Sequence, residues 1–185
     1  MCIRDSYLVA GMGDALATWY EARVCYNNSA AVTPAGGRPT LASYAISEIC
    51  AQAIYDHGEE AAAAVLASQN NEAVEKIVEA NTLLSGIGFE SGGLAMAHPL
   101  ALAYTRIDRV HDTYLHGEIV AISTMAQLFL EQSSDLEKAT RFFARVGLPV
   151  HLGQISMSPD DSTELDILAE VTLANPSVRH MPVTI

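Results

Sequence analysis

The chain has 185 residues, 10 basic against 22 acidic side chains, a net charge of −12, and half of its residues hydrophobic. That length suits one domain with a core large enough to fold without disulfide staples, and the hydrophobic content excludes a disordered chain. The negative charge argues against nucleic acid or an anionic membrane as partner, because both require a basic surface. No hydrophobic run approaches the roughly 18–20 residues of a membrane-spanning helix.

The three cysteines, Cys2, Cys25 and Cys50, are widely spaced and form no Cys-x-x-Cys pair. Their odd number and their spacing fit neither a disulfide framework nor a thiolate metal site. Cys25 and Cys50 fit the role of small hydrophobic residues on helix faces. The sequence also lacks the charged segment, apolar stretch and cleavage site of an export signal. We therefore expect a cytoplasmic protein.

Helical patterns follow one another along the first half of the chain. Residues 7–10 are the one strand candidate, and a helix is predicted at residues 14–27. A second helix is predicted from Pro39 to about His57, where Gly58 is expected to end it. Two more are predicted at residues 59–68 and 72–84. A loop is expected over residues 85–93, because this segment is too rich in glycine for a helix interior.

The second half continues in the same way. Residues 94–104 have a helical composition interrupted by Pro99, and residues 116–132 are hydrophobic nearly all round, as expected of a central buried helix. Residues 134–137 have the pattern of a capping box, and residues 158–161 have the pattern of another helix start. Roughly seven or eight helices without an internal repeat predict an all-α helical bundle.

Three segments carry side chains suited to chemistry. Asp14 lies where a glycine-rich turn enters a helix, His98 follows a glycine pair by about one helical turn, and His116 begins the long hydrophobic helix. A carboxylate and two imidazoles from three helices form a ligand set that a divalent metal accepts. Three protein ligands with a fourth position open are typical of catalytic zinc.

Each of these residues also has an interpretation without a metal. Asp14 can serve as a helix N-cap, His98 as a hydrogen-bonded histidine of the core, and His116 as a cap or a buried ring. The separations along the chain, 84 and 18 residues, match no short metal-finger pattern. On the residues alone, a metal-free helical interaction module therefore stays open as a different class of function.

Around these three residues the chain resembles the glycerol dehydrogenases of the iron-containing alcohol dehydrogenase superfamily. The matching segments are LVAGMGDALATWYEA at residues 8–22, EANTLLSGIGFESGGLAMAH at residues 79–98 and YLHGEIVA at residues 114–121. A shorter segment, GLPV at residues 147–150, also fits. The similarity extends over nearly everything from Leu8 to Pro182.

The resemblance implies a fold and a domain. Residues 7–185 would be the helical metal-binding domain, the C-terminal domain of a dehydroquinate synthase-like or iron-containing alcohol dehydrogenase fold. The N-terminal nucleotide-binding domain would be missing and the C-terminus truncated. Residues 1–6 do not lead into the helix that follows, and we interpret them as a non-native leader.

The resemblance also implies site residues. Asp14, His98 and His116 would be the metal ligands, with no further catalytic residue assigned, and Phe89 would line the substrate pocket. Iron-dependent relatives have another histidine four residues after the aspartate, where this chain has Thr18. The resemblance therefore favours zinc over iron.

The implied activity is the NAD- and zinc-dependent oxidation of a secondary alcohol of a vicinal diol, such as glycerol, to a hydroxyketone. The missing domain would hold most of the NAD, so the chain alone is expected to be inactive. A glycerol-1-phosphate dehydrogenase or a dehydroquinate synthase of the same fold is an alternative. Either would need basic side chains near the pocket, where only Arg106 and Arg109 are candidates.

The expected partner is a small polyol, with neither nucleic acid nor membrane. The full-length protein is expected to form a homo-oligomer.

Overall fold

The computed structural model describes residues 3–183, with the side chains of residues 6–183. Over this range the chain forms helices and turns and no β-strand. The α-helices are α1 (Ile3–Asn27), α2 (Leu41–Leu66), α3 (Glu72–Glu79), α4 (Ser85–Gly92), α5 (Ala97–Tyr104), α6 (Asp108–His111), α7 (His116–Leu130), α8 (Leu136–Val146) and α9 (Ser162–Ala174). A π-helical turn, Ala80–Leu84, joins α3 to α4, and 3-10 turns lie at Leu152–Ile155 and Pro176–His180. The predicted all-α fold is confirmed.

Helix α1 is the central helix and packs against α2, α4 and α7. Met12, Leu16 and Tyr20 lie along one face of this helix and are enclosed, and Ala17 and Thr18 on its other faces are enclosed as well. Full burial of a large apolar side chain contributes about 1.5–3 kcal/mol, so this helix anchors the core. The strand predicted at residues 7–10 is wrong, because these residues continue the helix. The described part of the proposed leader, residues 3–6, also lies in α1, and its origin stays a prediction.

Two predictions based on glycine are wrong. Helix α2 runs through Gly58, where a Cβ atom would lie 2.7 Å from Phe142 Cζ and 3.0 Å from Met12 Sδ. The glycine thus permits close packing against α8 and α1. This packing offsets the cost of a glycine within a helix, which is about 1 kcal/mol relative to alanine. Residues 85–92, predicted to be a loop, form α4, whose buried residues are Gly88 and Gly92.

The remaining helix boundaries follow from local chemistry. Helix α5 begins at Ala97, so Pro99 lies in its first turn, where proline is tolerated. Helix α7 is largely buried, as predicted. The capping box predicted at residues 134–137 is absent, because α8 begins after Asp135 without a side-chain cap. Asp161 caps α9 by accepting a hydrogen bond of 3.2 Å from the amide of Glu164.

Cys25 and Cys50 are free and buried, as expected of small hydrophobic residues, whereas Cys2 lies outside the described residues. Burial raises the pKa of both thiols to about 12. They are therefore protonated and unreactive at neutral pH. Between residues 3 and 183, no helix has both the length and the hydrophobicity needed to cross a lipid bilayer.

Candidate metal site

Helices α1 and α7 cross in backbone contact, and this crossing positions two of the predicted ligands. A Cβ atom on Gly117 would lie 1.9 Å from the carbonyl oxygen of Ala10, and one on Gly13 would lie 2.5 Å from the carbonyl oxygen of Gly117. Asp14 directly follows one of these glycines and His116 directly precedes the other. The contact between the two backbones therefore brings a carboxylate and an imidazole to the same place.

The start of α5 supplies the third side chain. His98 Nε2 lies 3.0 Å from Asp14 Oδ1, and the ring centres of His98 and His116 are 6.0 Å apart. One oxygen or nitrogen atom from each of Asp14, His98 and His116 lies within 4.8 Å of the other two. Neighbouring ligands of a tetrahedral zinc ion are about 3.3 Å apart, a spacing that the partly exposed Asp14 and the exposed His116 can reach by side-chain rotation. The structure thus brings all three predicted residues together.

Two buried side chains hold the backbone at the start of α5. Glu21 Oε1 accepts hydrogen bonds from the amides of Ala95, at 2.8 Å, and His98, at 3.2 Å. Gln127 Oε1 accepts from the two amides between them, at 3.0 and 2.9 Å. The first amides of a helix have no partner within it, so these side chains satisfy them away from water. They also anchor the segment that carries His98.

Neither Glu21 nor Gln127 is among the site residues predicted from the sequence. Glu21 lies seven residues after Asp14, on the same face of α1, and stands among the buried residues Tyr20 and Ala22. An acidic residue on the buried face of a hydrophobic helix was therefore a usable signal. The partner of Glu21 could not be found in this way, because His98 lies 77 residues further along the chain.

The charges around His98 favour a cation between the two carboxylates. Burial lowers the pKa of His98, but Glu21 and Asp14 outweigh this effect and raise that pKa to about 10. Burial raises the pKa of Asp14, whereas its hydrogen bond with His98 and the charges of both imidazoles hold that pKa below its usual value. The same negative potential would attract a divalent metal ion, which competes with protons for these groups.

A cavity of about 480 Å³ opens onto the three side chains. Its wall combines hydrophobic side chains with hydroxyl and amide groups; it includes Phe89, Leu94, Pro99, Leu102, Thr82, Ser85 and Asn175. The Phe89 ring packs edge-on against His98, with ring centres 5.0 Å apart, so this predicted pocket residue lies beside the cluster. Thr18 is buried, with its hydroxyl 3.3 Å from that of Ser85, and it is not part of the cluster.

The donor set fits a divalent transition metal such as zinc better than it fits magnesium. Two imidazoles and one carboxylate are ligands of catalytic zinc sites, whereas magnesium prefers oxygen ligands alone. The additional histidine that the resemblance leads us to expect in iron-dependent relatives is replaced here by the buried Thr18. The residues present therefore fit the metal that the resemblance implies.

Comparison with known proteins identifies relatives along almost the whole chain. The chain is 42% identical to a glycerol dehydrogenase of Citrobacter freundii over 181 residues, which is 96% of this chain and 49% of that protein. It is 40% identical to a glycolaldehyde reductase of Halobacterium salinarum, over 94% of this chain and 48% of that protein. No protein-family model matches the chain.

Comparison of the folds identifies a relative of the same kind. The structure of a probable glycerol dehydrogenase from Sinorhizobium meliloti 1021 superposes with a TM-score of 0.91 at 39% identity, covering 98% of this chain and 51% of that one. The chain thus spans about half the length of the relatives that it matches. Sequence and fold together confirm the resemblance: over that half, this chain is a homologue of the glycerol dehydrogenases of the iron-containing alcohol dehydrogenase family.

Proposed function

We propose that this chain is the metal-binding part of a zinc- and NAD-dependent polyol dehydrogenase, which oxidises a secondary alcohol of a vicinal diol, such as glycerol, to a hydroxyketone. The observation that supports the proposal most is the meeting of Asp14, His98 and His116 from three helices at one cavity. Scattered side chains would have favoured a metal-free interaction module. The relatives named as glycerol dehydrogenases support the reaction class.

Within this proposal the side chains of the cavity have distinct tasks. Asp14, His98 and His116 would hold the zinc ion, which when bound supplies a Lewis acid that polarises an alcohol oxygen. Phe89 and Leu102 would exclude water from the reacting carbon, while Thr82, Ser85 and Asn175 offer hydrogen bonds to further hydroxyl groups. NAD would be held mainly by a nucleotide-binding domain in the other half of the full-length protein.

The cavity wall also argues for an uncharged substrate. None of the described residues that line it is lysine or arginine. Arg109, one of the two basic candidates, donates hydrogen bonds to both carboxylate oxygens of Glu164. A substrate with a phosphate or carboxylate group needs such side chains, so a polyol is favoured over the substrates of the two alternative enzymes.

The cytoplasmic location, the homo-oligomer and the division into residues 1–6 and 7–185 stay predictions.

Metal binding by this chain tests the first part of the proposal. The wild-type chain is expected to bind zinc in equimolar amount, and His116→Ala to lose most of it, because a ligand is removed. The metal content after dialysis, measured by mass spectrometry, checks this. His111→Ala is the matched control, because this exposed histidine lies outside the cluster. A wild-type chain without zinc, or a His116→Ala variant with unchanged zinc content, would contradict the proposal.

Activity of the full-length protein tests the second part. With glycerol and NAD, reduction of the cofactor is expected; it should stop on treatment with a strong chelator and return with added zinc. Glycerol 1-phosphate is expected to be a poor substrate, because neither lysine nor arginine is among the described residues that line the cavity. Activity that survives complete removal of the metal would rule out the proposed role of zinc.

A further inference from the structure

We propose that Glu21 is a positioning residue that fixes the His98 ring in the tautomer that presents Nε2 to the metal. This inference rests on the proposed metal site and assigns a role to a residue outside the ligand set. Glu21 is fully buried, with 0% of its surface exposed. Burial of a carboxylate is costly unless it is hydrogen-bonded, so its partners are informative. Within the described residues, its hydrogen bonds all go to the segment that carries His98.

The two carboxylate oxygens of Glu21 have different partners. Oε1 accepts hydrogen bonds from the backbone amides of Ala95 and His98, while Oε2 contacts His98 Nδ1. An ionised carboxylate can only accept hydrogen bonds, so Nδ1 must carry a proton. In a neutral imidazole the lone pair then lies on Nε2, the atom that faces Asp14 at 3.0 Å. A carboxylate that orients a ligating histidine in this way is a recurrent feature of zinc sites.

Glu21 holds the backbone amides at the start of α5 and also orients the His98 ring. Glutamine at this position separates these two functions. A glutamine has nearly the same shape, and its single carbonyl oxygen can still accept from the amides of Ala95 and His98. Its NH₂ group then faces His98 Nδ1 and donates to it. This contact favours a proton on Nε2, which removes the lone pair that the metal needs. A purely structural role predicts that Glu21→Gln is tolerated, whereas the positioning role predicts weaker metal binding.

The experiment measures zinc affinity of the chain by competition with a chromophoric chelator, with no substrate or NAD present. Glu21→Gln is expected to bind zinc about 10- to 100-fold more weakly than wild type. Its cobalt(II) form is expected to show a visible absorption spectrum different from the wild-type spectrum. Glu164→Gln is the matched control, because Glu164 is a partly buried carboxylate that pairs with Arg109 instead of the segment that carries His98. Thermal unfolding without metal shows whether each variant is folded.

A second measurement needs no variant. Nitrogen-15 NMR of the zinc-loaded wild-type chain is expected to show a proton on His98 Nδ1 and the metal on Nε2. The reverse assignment would overturn the inference even if Glu21→Gln did not fold. A folded Glu21→Gln variant with wild-type zinc affinity and cobalt spectrum would also overturn it, while leaving the proposed function intact. Failure of the wild-type chain to bind zinc would instead refute the proposed function.

Discussion

The substitution Gly117→Ala is expected to lower the free energy of unfolding by about 3 kcal/mol or more. The added Cβ atom would lie 1.9 Å from the carbonyl oxygen and 2.5 Å from the carbonyl carbon of Ala10. Both are backbone atoms, so no change of rotamer relieves the overlap, and α1 and α7 must move apart. Overpacking costs about 1–3 kcal/mol, and more where the neighbouring atoms cannot yield.

The same substitution is expected to weaken zinc binding, because α1 carries Asp14 and α7 carries His116. Urea unfolding of the metal-free chain and zinc titration measure the two effects. Gly86→Ala is the control, because this helical glycine has open space around its Cβ position. Alanine is the better helix former, so Gly86→Ala should leave the stability unchanged or raise it by about 1 kcal/mol. Equal stability of Gly117→Ala and wild type would show that the crossing tolerates a side chain.

The sequence predicts most of the helices and misplaces several of their ends. Long hydrophobic segments such as residues 116–132 are recognisable, because a buried helix needs apolar residues on all faces. The errors at Gly58 and in residues 85–93 have one cause. Local propensity treats glycine as a residue that ends helices, whereas here it allows close contact with a neighbouring helix. Such a contact depends on a partner that is distant in sequence, so no local rule detects it.

Contacts between residues distant in sequence also limit what can be predicted of the candidate site. Asp14, His98 and His116 can be selected by residue type and by resemblance, since both identify ligands of a divalent metal. Their meeting depends on the crossing of α1 with α7 and on the anchoring of α5, which local pattern does not encode. Glu21 was missed because an acidic residue is usually exposed, and only the structure shows that it contacts His98.

The two histidines are expected to differ in what their removal does to the metal-free protein. His98→Ala leaves Glu21 Oε2 without its contact in a fully buried position, although Oε1 keeps two backbone amides. Removal of one member of a buried ion pair costs about 3–5 kcal/mol, so a destabilisation of about 3 kcal/mol is expected. His116 is exposed, and His116→Ala should change the stability by less than about 0.5 kcal/mol.

Both variants are expected to lose most of their zinc affinity, because each lacks one of three ligands. Urea unfolding in the presence of a chelator separates stability from metal binding. In the Glu21→Gln background the cost of His98→Ala should be smaller, because no charge remains unpaired in the core; a double-mutant cycle measures this coupling. Equal stabilities of metal-free His98→Ala and His116→Ala would show that the contact between Glu21 and His98 contributes nothing to the fold.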